Sequence, residues 1–130
     1  MEEAAESRRG YFRLSFEELS GSMQIFEVGQ NPISVEPRPV SIINLGGGGL
    51  YMRTDVDLPI RSGVYATFSF ALQGQRFTFR GQLVRKTDDL THSWYGVTFV
   101  DVDESVRGAL IATLGRIQIE RSRKGRAVHL

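Results

Sequence analysis

Three arginines fall within six residues near the start of the sequence, in the run Arg8-Arg9-Gly10-Tyr11-Phe12-Arg13. A charge run of this kind is usually a solvated segment. The same residue type could also clamp an anion or a nucleobase. A guanidinium bonds bidentately to phosphate or to the O6/N7 edge of guanine, and it stacks on base faces. The other unusual feature is the four-glycine run Gly46 to Gly49. It is no Walker loop, because no Gly-Lys-Ser/Thr follows. A dinucleotide fold would need a helix directly after it, whereas Leu50-Tyr51-Met52-Arg53-Thr54 reads as a strand. The run fits a tight bend or bulge between two strands. Missing side chains also let a ligand approach the backbone closely.

Catalytic signatures are absent from the sequence. The two histidines, His92 and His129, have no second histidine at a ligand or triad spacing, and there is no cysteine. Asp88-Asp89 reads as a turn, since calcium loops need more oxygen ligands at alternate positions. No Gly-x-Ser-x-Gly elbow occurs. The expectation is a protein that is not an enzyme and holds neither metal nor cofactor.

At 130 residues with 41% hydrophobic residues, the chain suits one domain with a single core. The net charge is only +1, which argues against a broad polyanion-binding surface and makes a nucleic-acid polymer an unexpected partner. Fourteen of the 16 basic residues are arginine, the others being Lys86 and Lys124. Stretches rich in apolar residues, such as Val40 to Ile43, are far shorter than the ~20 residues of a membrane span. Met1 to Ser7 lack the shape of a signal peptide. We therefore expect a cytoplasmic location without membrane insertion.

The elements that would position the arginines and glycines are mostly strands. Phe12, Leu14 and Phe16 alternate with polar residues. So do Val64, Ala66, Phe68, Phe70 and Leu72; then Phe77, Phe79, Gly81 and Leu83; then Tyr95, Val97 and Phe99. Period two predicts half-buried strands. Gln73-Gly74-Gln75 reads as a hairpin loop, Lys86 to Ser93 as a second connection, and Leu58 to Gly63 as a turn. Asn31-Pro32 and Pro37-Arg38-Pro39 suggest an edge or an irregular excursion. Short strands without intervening helices favour an antiparallel barrel or sandwich. After Val100 the spacing of Val106, Leu110, Leu114 and Ile117 is helical, with Asp101 or Asp103 as N-cap. Gly108 and Gly115 weaken that helix, so docking must hold it. The basic stretch Arg121 to Leu130 is expected to fray.

In this order the features resemble the PilZ domain family. Arg9-Gly10-Tyr11-Phe12-Arg13 fits its Arg-x-x-x-Arg motif, with the frequent extra arginine as Arg8. Asn44-Leu45-Gly46-Gly47-Gly48-Gly49 fits Asp/Asn-x-Ser-x-x-Gly except at Gly46. Tyr95 to Asp101 followed by an amphipathic helix is similar to the way such domains end. Each motif is common by chance; the order, the all-β body and the closing helix carry the likeness.

The resemblance implies a small antiparallel β-barrel of six or seven strands with a C-terminal α-helix. It also implies a bacterial receptor for the second messenger cyclic di-GMP. The flexible tail would cover residues 1–7, the barrel domain 8–121 with its helix at about 103–121, and a basic tail 122–130. By analogy Arg8, Arg9 and Arg13 would hold phosphates and guanine, Asn44 would bond a guanine edge, and Gly46 and Gly49 would shape the turn beneath the ligand. Glycine in place of the motif serine removes one hydroxyl contact, typically worth about 1 kcal/mol. The long interval from Arg13 to Asn44 suggests an extra loop or hairpin near the site. Ligand would settle the arginine segment against the barrel and alter the surface offered to a downstream protein partner. The alternative is a degenerate module of the same fold that binds proteins and not cyclic di-GMP.

Overall fold

The computed structural model describes residues 11–129. Seven strands precede one helix: β1 (Arg13–Val28), β2 (Asn31–Pro32), β3 (Arg38–Gly46), β4 (Gly49–Thr54), β5 (Val64–Leu72), β6 (Gln75–Asp88), β7 (Ser93–Val100) and α1 (Glu104–His129). All pairings are antiparallel, in the order β2-β1-β3-β4-β7-β6-β5, and β1 also pairs with β5. Six strands therefore close into a barrel, and the two-residue β2 adds a short seventh. Closure removes the open sheet edges that would otherwise invite aggregation.

The expected alternation in β5, β6 and β7 faces the barrel interior. Val64, Ala66, Phe68 and Tyr95 are completely buried, and Phe70, Phe77, Phe79, Leu83, Val97 and Phe99 nearly so. The Tyr95 hydroxyl does not waste its burial: it donates to the Val56 carbonyl at 2.7 Å and accepts from the Leu58 amide at 2.8 Å. This fixes the connection after β4. Phe12 departs from expectation. It precedes β1 and stays 39% exposed, so it does not share a face with Leu14.

The interval from Arg13 to Asn44 also differs from expectation. Most of it is β1, a strand of 16 residues that closes the barrel. Its hairpin with β2 lies at the end remote from Arg13, where Val28 pairs with Asn31. Gly21 sits where β1 pairs with β3 and β5 at once, opposite Val40 and Phe70.

Asp103 caps α1. Its carboxylate accepts from the Ser105 amide at 2.9 Å and hydroxyl at 2.7 Å, bonds that lower its pKa. Leu110 and Leu114 are fully buried on the barrel, with Val106 and Ile117 partly so. The helix then continues to His129, so the expected helix end at about 121 falls within it. Arg121, Arg123 and Lys124 are exposed and are good helix formers, and Arg121 also lies over the Phe16 ring of β1 at 5.1 Å. A Cβ on Gly108 would meet nothing within 4 Å. Gly108→Ala should thus raise stability by about 0.4–1 kcal/mol, read as a higher urea midpoint. Among the described residues no helix is long and apolar enough to cross a membrane.

Candidate functional site

Two rungs of the barrel bring the motif residues together. One runs Arg13–Gly46–Gly49–Thr98–Gln82 across β1, β3, β4, β7 and β6. The next rung on the same face runs Ser15–Asn44–Tyr51–Gly96–Arg85 across the same strands. Arg13 Nη1 donates to Asn44 Oδ1 at 2.6 Å, so the ends of the two motifs are bonded directly. Both residues line an open cleft of about 830 Å³, together with Tyr51, Arg85, Trp94 and Thr98. That volume lies in the roughly 300–1,000 Å³ range of small-molecule pockets. Arg8 and Arg9 lie outside the described residues.

Gly46 and Gly49 serve the hairpin and not the cleft lining. A Cβ on Gly46 would come within 2.7 Å of the Phe12 carbonyl oxygen and 2.9 Å of Arg13 Cγ. The motif serine is therefore excluded by the path of residues 12–13. A Cβ on Gly49 would stand 2.0 Å from the Val97 carbonyl oxygen, which makes glycine a condition of β4–β7 pairing.

The glycine turn is also a socket for Tyr11. A Cβ on Gly47 would lie 2.8 Å from the Tyr11 ring. From the first turns of α1, Arg107 donates to the Gly47 carbonyl at 3.1 Å and to the Tyr11 hydroxyl at 3.3 Å, with its guanidinium 5.3 Å from the ring centroid. Glu104 holds that guanidinium. Nη2 donates to Oε2 at 3.2 Å, and Nε sits 3.0 Å from Oε1 as an ion pair. Missing side chains at the turn thus admit an aromatic residue of the protein's own N-terminal segment.

On the cleft's other side the connection 89–92 is organised by one carboxylate. Asp89 accepts from the Thr91 amide (2.8 Å), the Trp94 indole N–H (3.0 Å) and the His92 amide (2.7 Å). These bonds pull its pKa down to about 2. A carboxyl depressed in the folded state contributes stability above its ordinary value near 4, and loses it as pH falls toward 2. Trp94 is the single tryptophan. Its fluorescence should be steady from pH 7 to 5 and shift between about 4 and 2 as Asp89 protonates and releases the indole. In Asp89→Ala the shifted signal should already be present at pH 7. Nearby, Lys86 pairs with Asp57, which raises its pKa.

Tyr51, Arg85, Trp94 and Arg107 were not singled out by the sequence. Alternation puts Tyr51, Trp94 and Thr98 on the outer face, and that was the available signal. Their meeting with Arg13 depends on register, and a shift between Leu83 and Arg85 changes what β6 presents. Among the described residues no group of three or more His, Asp or Glu could hold a metal ion.

The fold is similar to that of known proteins. Bacillus subtilis inhibitor of motility (MotI/DgrA) superposes with a TM-score of 0.68 at 17% identity, over 87% of this chain and 52% of that one. Escherichia coli YcgR, solved in complex with c-di-GMP, gives 0.69 at 20% identity, over 93% and 50%. The chain thus spans about half the length of these two proteins. The separate PilZ domain of YcgR with c-di-GMP gives 0.59 at 19% identity, over 95% and 99%. No curated protein matches by sequence. A sequence model of the PilZ domain matches residues 7–116, which takes in all seven strands and the first half of α1, and the chain belongs to that family.

Proposed function

We propose that the chain is a bacterial receptor for cyclic di-GMP and not an enzyme, with the cleft between Arg13 and Arg85 as its binding face. The observation that carries this reading is the Arg13–Asn44 bond at the cleft, which joins the last residue of one ligand motif to the first of the other. Two of the similar structures hold c-di-GMP, and the family match covers most of the chain. Arg8, Arg9 and Arg13 neutralise the ligand's two phosphates and bond guanine, and Asn44 reads a guanine edge. Gly46 and Gly49 shape the hairpin below. A ligand that acts as an intracellular messenger places the protein in the cytoplasm.

Transmission to a partner protein runs through Tyr11. It lies two residues from Arg13 and is gripped by Arg107 of α1. Ligand drawing on the arginine segment therefore acts on the start of the helix. Calorimetry with cyclic di-GMP tests the reading: saturable heat at micromolar or lower ligand is expected. No heat at saturating ligand would overturn it and favour the protein-binding alternative, which the missing serine hydroxyl at Gly46 supports. Hydrogen exchange should slow on binding over residues 11–13 and 104–110. Unchanged exchange in α1 despite saturation would remove the helix from the mechanism.

A further inference from the structure

The wall of the cleft opposite Arg13 carries a chain of stacked groups that neither motif uses. Tyr51 and Trp94 stack with centroids 6.0 Å apart and planes 23° from parallel. Arg53 lies over Trp94 at 5.7 Å and donates to Ser41 Oγ at 3.3 Å. Arg85 lies over Tyr51 at 6.0 Å. Gly96 makes that last contact available. A Cβ there would stand 3.0 Å from both Nε and Nη2 of Arg85, so the guanidinium crosses β7 through the space a side chain would fill. Asp89 holds the Trp94 indole N–H. Among the described residues no carboxylate pairs with Arg85, whereas Arg38, Arg107 and Lys86 each have one.

We infer that Arg85, seated over Gly96, and the Tyr51–Trp94 pair form a purine-base subsite, on which one guanine stacks while Arg13 and Asn44 hold the other side of the ligand. This rests on the reading of the cleft as a cyclic dinucleotide site. A planar cation above an aromatic pair offers flat, polarisable faces on which a base stacks, and arginine suits this better than lysine because its charge is spread over a plane. An arginine without a carboxylate partner keeps its charge for the ligand.

The test is a titration with cyclic di-GMP, followed by calorimetry and by Trp94 fluorescence, in the wild type and in Arg85→Ala, Arg85→Lys and Gly96→Ala. Wild-type binding should quench the tryptophan. Arg85→Ala should weaken binding about tenfold. Arg85→Lys should be nearly as weak, since it keeps the charge and loses the plane. Gly96→Ala displaces only the flexible end of Arg85. It should keep the unfolding midpoint near wild type while weakening binding, and add little to Arg85→Ala. Binding heat in the wild type with unchanged affinity in Arg85→Ala, or with full affinity in Arg85→Lys, overturns the base subsite and leaves the receptor reading standing. Heat without any fluorescence change does the same. No heat in the wild type overturns both.

Discussion

Gly49→Ala should unfold the β4–β7 junction, not merely weaken a ligand contact. The added carbon would stand 2.0 Å from the Val97 carbonyl oxygen and 3.3 Å from Thr98 Cα, both backbone atoms of the paired strand. Neither can move aside without breaking the register Gly49–Thr98 and Leu50–Val97. Leu50 and Val97 are core residues, so a shift there also disturbs barrel packing. Forcing a carbon into a packed interior typically costs about 1–3 kcal/mol. Here the loss of ladder bonds at about 1 kcal/mol each comes on top. Against a usual stability of about 5–15 kcal/mol the effect is large. Urea unfolding followed by far-UV circular dichroism should show a midpoint well below wild type. A wild-type midpoint would mean that β7 does not approach so closely. Loss of ligand by this variant would report on the fold and not on a contact, which matters because Gly49 is also a motif position.

That double role marks the border between what the sequence disclosed and what it did not. Strands β5 and β7, and β6 as far as Leu83, were legible because their alternation is regular and one face is buried. Lys86 to Asp88 reads as part of a polar connection but belongs to β6, whose alternation is lost beyond the register shift at Leu83–Arg85. The start of α1 was legible because Asp103 and the Val106–Leu110–Leu114 spacing agree. In the site, Arg13 and Asn44 could be named from motif spacing alone, and they meet. The course of β1 was obscured by Ser20-Gly21-Ser22, small residues inside the interval from Arg13 to Asn44 that suggested an extra loop or hairpin. The glycine is there because Ser69 and Ile42 approach within 3.0 Å of its missing Cβ as the strand passes between β3 and β5. The wall built on Arg85 was hidden for a different reason. Side-chain direction follows from local alternation, but cross-strand neighbours follow from register, and register here is reset between Ile42 and Asn44 and between Leu83 and Arg85. The far part of α1 was missed because it lacks the apolar periodicity that marks its start.

Arg13→Ala should do the reverse of Gly49→Ala: it should keep the barrel and remove most of the binding. Arg13 is exposed and begins β1, so its side chain contributes little to the core. A charge-assisted bond to a phosphate or guanine is worth about 1.5–3 kcal/mol, which is roughly a 10- to 150-fold loss of affinity. Asn44 then loses the donor that orients its side-chain oxygen, and its own contact to a guanine edge becomes less well aimed. Asn44→Ala should therefore cost less than Arg13→Ala, and the double variant should cost less than the sum, as expected for two groups bonded to each other. Arg13→Lys should not restore wild-type affinity, because an ammonium cannot make the paired bonds of a guanidinium. Raising ionic strength should weaken the wild type more than Arg13→Ala, since the variant has already lost one of the charges being screened. If Arg13→Ala binds as tightly as wild type at low salt, with the same salt dependence, then the bond between Arg13 and Asn44 is a hairpin brace. In that case the ligand face must be sought on the Arg85 side of the cleft alone.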